Sequence, residues 1–258
     1  MLAQPKRTHL NRALSKLGLC SRGTAERWIA EGRVWVNGTA ADSPEQWVDL
    51  AADRIEVKEE DAPGPETGSP PASAHPAREP LYLAMHKPAG YVTTRSDELG
   101  RKTVYELLPP DLSGGWLFPV GRLDKDSEGL LLMTNDGEWA NLLTDPEFHV
   151  EKTYRVKLDG KPLPEELERF RAGIMLDDTA TLPARVDADG GGWYRVGLTE
   201  GRNRQIRRMF HALGYKVKRL VRVAIGPLEL GGLEAGKIRR LSTMESAALR
   251  RAAAGKSA

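Results

Sequence analysis

The segment between residues 58 and 80 differs in composition from the rest of this 258-residue chain and limits how the chain can fold. Glycine, serine, alanine and acidic residues separate its prolines, and large apolar side chains are almost absent. Its prolines are Pro63, Pro65, Pro70, Pro71, Pro76 and Pro80. A segment of this composition cannot offset the entropy that is lost on ordering. We therefore expect a flexible linker that joins two separately folded units, which a chain with 40% hydrophobic residues can support.

The residues before this linker show helical periodicity. Apolar side chains recur at helical spacing from Leu10 to Leu17, and Gly18 follows where a helix commonly ends. A second helix is predicted from Ser21, which suits an N-cap, to Gly32. The pattern predicts two short amphipathic helices in succession.

A β-hairpin is predicted directly after these helices. Val34 and Val36 occupy alternate positions, as in a half-buried strand. The dipeptide Asn37-Gly38 follows, and both residue types tolerate the positive φ of a tight turn. Residues 53–57 repeat the alternation and predict a later strand.

Two helices followed by a strand that reads Gly-Arg-Val-x-Val-Asn-Gly resemble the S4 domain, a small RNA-binding fold of the α-L type, over about residues 8–57. The resemblance implies that the helix pair presents basic residues to folded RNA. Those residues are Arg12, Lys16, Arg22, Arg27 and Arg33. Without the resemblance, this charge pattern would more commonly indicate a solvated helix face.

The residues after the linker alternate strand-like and helix-like patterns up to about residue 244. Strands are predicted at 81–85, 116–120, 130–134, 153–158 and 193–199, and helices near 137–144, 164–172 and 203–213. After Glu245 the chain is rich in Ala, Arg and Lys, and we expect residues 245–258 to form a frayed, disordered tail.

Residues 121–131 place carboxylates and a basic pair directly ahead of an apolar strand, where α/β enzymes commonly hold reactive groups. Asp124 and Asp126 are two residues apart, so on a strand they would share a face and could bind a divalent cation. No cluster of histidine or acidic residues elsewhere in the sequence completes a coordination shell, and Arg122 and Lys125 place positive charge at the same point. We therefore expect no metal ion. Ordinary surface carboxylates at a strand entrance are the other alternative.

Four separated motifs resemble those of the RsuA/RluB/RluE/RluF family of ribosomal RNA pseudouridine synthases. The family's active-site motif is matched by Gly121-Arg122-Leu123-Asp124 with Ser127, Gly129 and Leu130. Its opening motif is matched by Lys87-Pro88-x-Gly90, its tyrosine motif by Glu151-Lys152-Thr153-Tyr154, and its basic motif by residues 200–209. The resemblance extends from about residue 8 to residue 243, and an S4 domain in front is the family's usual arrangement.

The resemblance implies an α+β catalytic domain over residues 81–244, with a mixed, largely antiparallel sheet. It implies that a uridine in ribosomal RNA is isomerised to pseudouridine. The C1′–N1 bond breaks, the uracil turns, and C5 joins C1′, so no cofactor is expected. Residues 151–154, 200–205 and 225–228 look most like RluB-type large-subunit enzymes, which favours 23S ribosomal RNA, and 16S ribosomal RNA is the alternative.

The resemblance also assigns roles to particular side chains. Asp124 would act at the sugar or the base, and Arg207 would be the neighbouring cation that keeps it ionised. Tyr154 would lie against the target base, and Leu220 would line the same pocket. Arg122 would hold the RNA open once the nucleotide is flipped. Without the resemblance, Tyr154 would be interpreted as a half-buried packing residue. Asp126 and Glu128 receive no role.

Positive charge is concentrated between Glu200 and Arg222, where eight basic residues accompany the single acid Glu200. Such a stripe predicts contacts to RNA phosphates. We expect these contacts from Arg202, Arg204 and Arg208, and from Lys87 of the opening motif.

Localisation and partners are predicted from features outside the motifs. The net charge is only +2, the single cysteine Cys20 cannot form an internal disulfide, and no apolar run approaches about 20 residues. We expect a cytoplasmic monomer that binds ribosomal RNA or a ribosomal assembly intermediate and no membrane. Two alternatives stay open: a non-catalytic RNA-binding assembly factor, and a metal-dependent nuclease that uses Asp124 and Asp126.

Overall fold

A computed structural model describes residues 7–17, 19–20, 22–50, 52–58, 79–95, 97–113 and 117–255. The chain divides into two compact units, Met1–Pro80 and Leu81–Ala258. Most of the predicted linker, residues 59–78, lies outside the described residues. The side chains of Lys16 and Arg22, two of the predicted RNA-binding residues, also lie outside them.

The described residues of the N-terminal unit form two short helices and two small antiparallel sheets. Its helices are α1 (Leu10–Lys16) and α2 (Arg22–Ala30), and its strands are β1 (Arg7–His9), β2 (Val34–Val36), β3 (Thr39–Ala40), β4 (Trp47–Asp49) and β5 (Ile55–Val57). Strand β1 pairs with β4, and the second sheet has the order β3-β2-β5. Leu14, Ile29 and Val48 are buried in one apolar cluster, which explains the helical periodicity of the sequence.

The predicted hairpin is confirmed at Asn37-Gly38. Val36 pairs with Thr39, so only these two residues connect β2 to β3. Their φ angles are 52° and 81°, as a type I′ turn requires. The pairing of β1 with β4 was not predicted, because it joins two short segments that lie far apart in the chain.

The C-terminal unit is built on a sheet of nine strands within the described residues. The unit's strands are β6 (Tyr82–Lys87), β7 (Phe118–Val120), β8 (Glu128–Thr134), β9 (Lys152–Leu158), β10 (Met175–Leu176), β11 (Thr179–Ala180), β12 (Arg185–Ala188), β13 (Trp193–Leu198), β14 (Val217–Ile225), β15 (Leu228–Glu229) and β16 (Ile238–Arg240). The order is β12-β13-β9-β14-β8-β6-β16, while β7 pairs with β8, β15 pairs with β14, and β10 and β11 form a separate hairpin. Strands β14 and β8 pair in parallel, and the other pairings between strands of this sheet are antiparallel. The predicted α+β class with a mixed, largely antiparallel sheet is therefore confirmed.

Helices pack against this sheet in separate apolar clusters. The helices are α3 (Pro110–Ser113), α4 (Gly137–Thr144), α5 (Pro164–Ala172), α6 (Gln205–Ala212) and α7 (Thr243–Ala254), with short 3-10 helices at Val104–Leu107 and Pro146–Phe148. Phe170 of α5 and Phe210 of α6 are buried with ring centroids 4.6 Å apart, in a cluster that includes Val156 of β9. Trp139 of α4 and Leu249 of α7 belong to a second cluster. Helix α6 is thereby fixed next to β9 and β14.

Strand β8 explains why an apolar run directly follows the charged residues 121–128. Leu130, Leu131, Leu132 and Met133 are all fully buried. Leu130 and Leu132 lie in one apolar cluster, whereas Leu131 and Met133 lie in another. A strand that is buried on both faces has no polar alternation. The charged residues therefore lie where the chain enters a central strand of the sheet.

The C-terminal residues correct one prediction. The expected disordered tail, residues 245–258, is wrong for residues 245–254, because Thr243–Ala254 form helix α7. Ser242 and Glu245 make a capping box, and Leu249 and Ala253 are fully buried. Their spacing of four residues puts both on one helix face, which the Ala-rich and Arg-rich composition concealed. Residues 256–258 lie outside the described residues.

Candidate active site

The loop at residues 121–127 connects β7 to β8, and a glycine determines where it leaves the sheet. Gly129 has a φ of 104°, and a Cβ atom there would lie 2.2 Å from the carbonyl oxygen of Arg222. Only glycine therefore allows β8 to begin beside β14. The loop that carries Asp124 is thus placed against β14.

A cleft of about 1060 Å³ lies along this loop. Six of the predicted site residues line it, contributed by the loop, by β9, by β14 and by the segment before α6. They are Arg122, Asp124, Tyr154, Arg202, Arg204 and Leu220. Lys87, Arg207 and Arg208 are not part of its lining. The fold therefore gathers most of the motif residues around one space.

Asp124 is accompanied by a different arginine from the one that was predicted. Its side chain is 28% exposed, and its Oδ2 lies 3.8 Å from Nη1 of Arg204. Among the described residues, no ion pair within 4.0 Å joins Asp124 to Arg207. Nη1 of Arg207 donates instead to the carbonyl oxygen of Val217 at 3.1 Å, and Nη2 donates to that of Asp126 at 3.0 Å. The predicted pairing with Arg207 is thus not observed, because Arg207 fastens the loop backbone to the start of β14.

Asp126, to which the family resemblance assigned no role, links the loop to both arginines. Its Oδ2 accepts from Nη2 of Arg204 at 2.9 Å, and its Oδ1 accepts from Nη1 at 3.3 Å. Oδ2 also lies 3.7 Å from Nη2 of Arg207. The hydrogen bond from Arg204 lowers the pKa of Asp126 to about 2, so this carboxylate stays ionised at neutral pH. Its two-residue spacing from Asp124 was the signal that could have identified it.

Arg204 reaches both carboxylates from an unusual backbone conformation. Its φ is 48°, in the left-handed region, at the residue that precedes helix α6. A residue other than glycine in this region stores strain of roughly 1–3 kcal/mol and commonly lies at a functional site. The segment before it is held by Gln205, whose Oε1 accepts from the backbone N–H of Arg202 at 3.0 Å.

The predicted RNA contact of Lys87 is wrong. The side chain is fully buried, so it cannot contact RNA as expected. Its Nζ donates to the carbonyl oxygens of Ser127, Pro88 and Lys125 at 2.7, 3.0 and 3.3 Å. Desolvation lowers its pKa to about 8, although Asp124 and other nearby carboxylates favour the charged form. Lys87 therefore ties the end of β6 to the backbone of the 121–127 loop.

The remaining cleft residues supply an aromatic face, an apolar wall and an exposed cation. Tyr154 is half-buried on β9, and its phenol makes no hydrogen bond to the described residues. Leu220 is 5% exposed and lies opposite Val156 across the β9–β14 pairing. Arg122 is exposed and has no ion pair in the described part of the chain. The cleft can therefore hold a flat group against Tyr154 and Leu220, with Asp124 lining the same space.

No group of three or more His, Cys, Asp or Glu side chains in the described ranges is arranged to hold a metal ion. Within the same ranges, none of the helices has the length and apolar character that crossing a membrane requires.

Comparison with known proteins agrees with this geometry. The sequence profile described as RNA pseudouridylate synthase matches residues 81–212, and the S4 domain profile matches residues 10–55. The chain belongs to the RNA pseudouridylate synthase family. A solved pseudouridylate synthase is similar in structure, with a TM-score of 0.66 and 31% identity over 93% of this chain and 99% of that one.

Several curated members of the RNA pseudouridylate synthase family are similar over most of this chain. Ribosomal large subunit pseudouridine synthase B of Bacillus subtilis is 36% identical, and the match covers 93% of this chain and 95% of that protein. The protein of the same name from Pseudomonas aeruginosa is 38% identical over 92% of this chain, which spans 60% of that relative's length. An uncharacterised RNA pseudouridine synthase of Aquifex aeolicus is 40% identical, and the match covers 93% of this chain and 92% of that protein.

Two further arginines of the C-terminal unit, which is called the synthase unit below, form hydrogen bonds within the protein. Arg202 donates through Nε to Glu200 at 3.1 Å, through Nη1 to the carbonyl oxygen of Thr179 at 3.0 Å and through Nη2 to that of Ala180 at 2.5 Å. Each of its three nitrogens has a protein acceptor, so Arg202 fixes the segment before α6. Its side chain is partly exposed and lines the cleft, so its RNA contact stays a prediction. Arg208 donates to Asp177 at 2.6 Å outside the cleft.

In the S4 domain, the predicted basic residues differ in how freely they face solvent. Arg12 is exposed on α1. Arg27 on α2 has a side chain that is 67% exposed and lies 3.7 Å from Glu31. Arg33 is half-buried, since its Nε donates to the carbonyl oxygen of Lys58 at 3.1 Å and its guanidinium lies over the Trp28 ring. RNA contact from Arg12 and Arg27 stays a prediction that their exposure permits.

Proposed function

We propose that this protein converts a uridine within RNA to pseudouridine and that Asp124 carries the reaction. One observation supports this assignment above the others. Asp124 lines a cleft that is large enough for a nucleotide, Arg204 lies 3.8 Å from its carboxylate, and Tyr154 lines the same space. The arrangement brings a nucleophile or base, a fixed positive charge and a stacking surface to one place.

The reaction rearranges bonds within one nucleotide. The C1′–N1 bond breaks while Asp124 acts at the sugar, either by forming a bond to C1′ or by removing a sugar proton. The detached uracil turns against Tyr154 and C5 bonds to C1′, while the bond between Asp124 and C1′ breaks or the removed sugar proton returns. The C5 proton is then lost, and N1 gains one. Atoms and electrons balance within the substrate, so the residues of this chain suffice. Arg204 supplies positive charge beside the carboxylate throughout.

The target nucleotide must leave its stack before Asp124 can reach it. C1′ and N1 of a stacked nucleotide are inaccessible to a side chain, so enzymes that act on these atoms flip the nucleotide out. Exposed Arg122 lies two residues from Asp124 and can occupy the position that the nucleotide vacates.

The substrate class follows from the relatives and from the S4 domain. The relatives in Bacillus and Pseudomonas are named for the large ribosomal subunit, and the S4 profile matches an RNA-binding domain. We propose 23S ribosomal RNA or a large-subunit assembly intermediate in the cytoplasm as the substrate. We also propose that the protein acts on this RNA as a monomer.

Chemical mapping of pseudouridine in purified ribosomal RNA tests this function. Wild-type protein should introduce pseudouridine into unmodified 23S RNA, with or without a chelator, and leave the strand intact. Asp124→Asn should bind the RNA and introduce none. Modification of 16S RNA alone would refute the large-subunit assignment. RNA binding without modification would favour an assembly factor, and cleavage that a chelator abolishes would favour a nuclease.

A further inference from the structure

Lys152 and Arg222 are two cations in the cleft that the proposed chemistry does not use. Both side chains line the cleft. Lys152 and Tyr154 lie two residues apart on β9, so they point to the same face of the sheet. Arg222 lies directly opposite Tyr154 across the β9–β14 pairing, and therefore shares that face. The two cations thus lie on the side of the sheet that faces the cleft.

Neither cation is neutralised by an acidic side chain in the described part of the chain. The Lys152 ammonium makes no hydrogen bond or ion pair there. Arg222 is 4% exposed, its Nε donates to the carbonyl oxygen of Leu130 at 2.7 Å, and its buried Nη2 has no hydrogen-bond partner. Burial, and then the charge of Arg222, lower the pKa of Lys152 to about 8.

Two cations that are withdrawn from water beside each other are unfavourable unless an anion compensates them. Any RNA segment that enters the cleft brings a phosphate with each nucleotide, and cationic side chains position RNA through these phosphates. We propose that Lys152 and Arg222 form a subsite for a backbone phosphate next to the target nucleotide, an inference that rests on the proposed function. Lys152 moves onto the phosphate, because Arg222 is held by its bond to Leu130.

Salt dependence separates a phosphate contact from a structural role. Lys152→Met should raise KM for an RNA stem-loop roughly tenfold, the size of one charge-assisted contact, with kcat nearly unchanged. The slope of log KM against log salt concentration should fall by about 0.7 to 1, as expected for one lost phosphate contact. Lys152→Arg should stay near wild type because the charge remains. Lys157→Met is the matched control, since Lys157 is on the same strand but donates to Gly191 outside the cleft.

Neutral RNA linkages identify the phosphate without altering the protein. We would place a single methylphosphonate on the 5′ or the 3′ side of the target uridine and measure KM. One of the two methylphosphonates should raise KM for the wild-type protein about as much as Lys152→Met does. Combining that methylphosphonate with Lys152→Met should raise KM little further, because both remove the same contact. Because the wild-type protein is used, this measurement stands even if Lys152→Met folds poorly.

The outcomes are distinct. If the wild-type protein makes no pseudouridine in 23S ribosomal RNA, in a large-subunit assembly intermediate or in the stem-loop, the proposed function fails, whatever Lys152 does. If wild-type activity is present but Lys152→Met keeps the wild-type salt slope, or neither methylphosphonate changes KM, the phosphate subsite is wrong. If Lys152→Arg loses as much kcat as Lys152→Met, Lys152 exchanges a proton and does not bind phosphate.

Discussion

Asp126 joins the 121–127 loop to helix α6 through two arginines. It accepts hydrogen bonds from Arg204 at 2.9 and 3.3 Å and lies 3.7 Å from Arg207. Arg204 approaches Asp124 from a backbone φ of 48°, a conformation that persists only where surrounding contacts hold it. We therefore expect Asp126 to be a positioning residue that acts through Arg204.

Substituting Asp126→Asn should lower kcat about tenfold and change KM little, because the neutral amide no longer orients Arg204. Glu128→Gln is the control, since Glu128 pairs with Arg219 at 2.8 Å and does not line the cleft. Single-turnover formation of pseudouridine on one stem-loop measures both variants. A wild-type rate for Asp126→Asn, or an equal loss for Glu128→Gln, would contradict this role.

The sequence motifs predicted most of the side chains that gather in the cleft, but not how each is used. Arg204, and not Arg207, lies beside Asp124 because the Arg204 backbone is left-handed, and no local sequence signal predicts that conformation. Lys87 was assigned to RNA because it is charged and belongs to a motif. Its burial depends on the backbone carbonyls of Lys125 and Ser127, which only the folded 121–127 loop brings to it, and on that of the neighbouring Pro88.

The buried position of Lys87 should make stability depend on pH. Its folded-state pKa is about 8, below the ordinary value of 10.5. Between these values the unfolded chain binds more protons than the folded one, so stability rises with pH. We expect the unfolding free energy of wild type, relative to Lys87→Met, to rise by a few kcal/mol from pH 8 to pH 10.

Urea unfolding of wild type and Lys87→Met at intervals across that range would measure this effect. Taking the difference between the two proteins cancels most other titrating groups, including Lys152. A difference that stays constant with pH would show that Lys87 does not lose its proton in the folded state within this window.

Among the elements, strands β8 and β14 carry the site because β8 begins beside the middle of β14. Val221 pairs with Glu128, and Arg222 pairs with Gly129. Gly129→Ala should cost about 3 kcal/mol or more of unfolding free energy, because its Cβ would collide with the Arg222 backbone. Gly137→Ala, where a Cβ meets nothing within 4 Å, should change stability by less than about 0.5 kcal/mol. Equal urea midpoints for the two variants would contradict this.

Elements with a strong local signal were predicted, and those that depend on distant contacts were not. The apolar run of β8 and the Asn37-Gly38 hairpin lie where the sequence placed them. The β10–β11 hairpin was missed, because its turn residues Asp177 and Asp178 adopt positive φ without a glycine. Helix α7 was missed because its stability comes from burial of Leu249 beside α4.

The whole molecule combines an S4 domain with a synthase unit that contains every residue of the proposed site. Deleting residues 1–57 should therefore raise KM for ribosomal RNA roughly 10-fold to 100-fold and lower kcat much less, as expected when one of two linked binding modules is lost. The double substitution Arg12→Ala with Arg27→Ala in the full chain should shift KM in the same direction. A synthase unit that fails to fold alone, or a kcat that falls as far as KM rises, would contradict this division of roles.

The central claim is that Asp124, in the cleft beside Arg204, breaks and remakes the glycosidic bond. The direct measurement uses RNA that carries tritium at C5 of uridine, because the C5 hydrogen is lost when C5 bonds to C1′. Wild type should release one tritium for each pseudouridine formed, and Asp124→Asn should bind the RNA equally well but release it at least about 10³-fold more slowly. Release from Asp124→Asn at a rate near that of wild type would contradict the account.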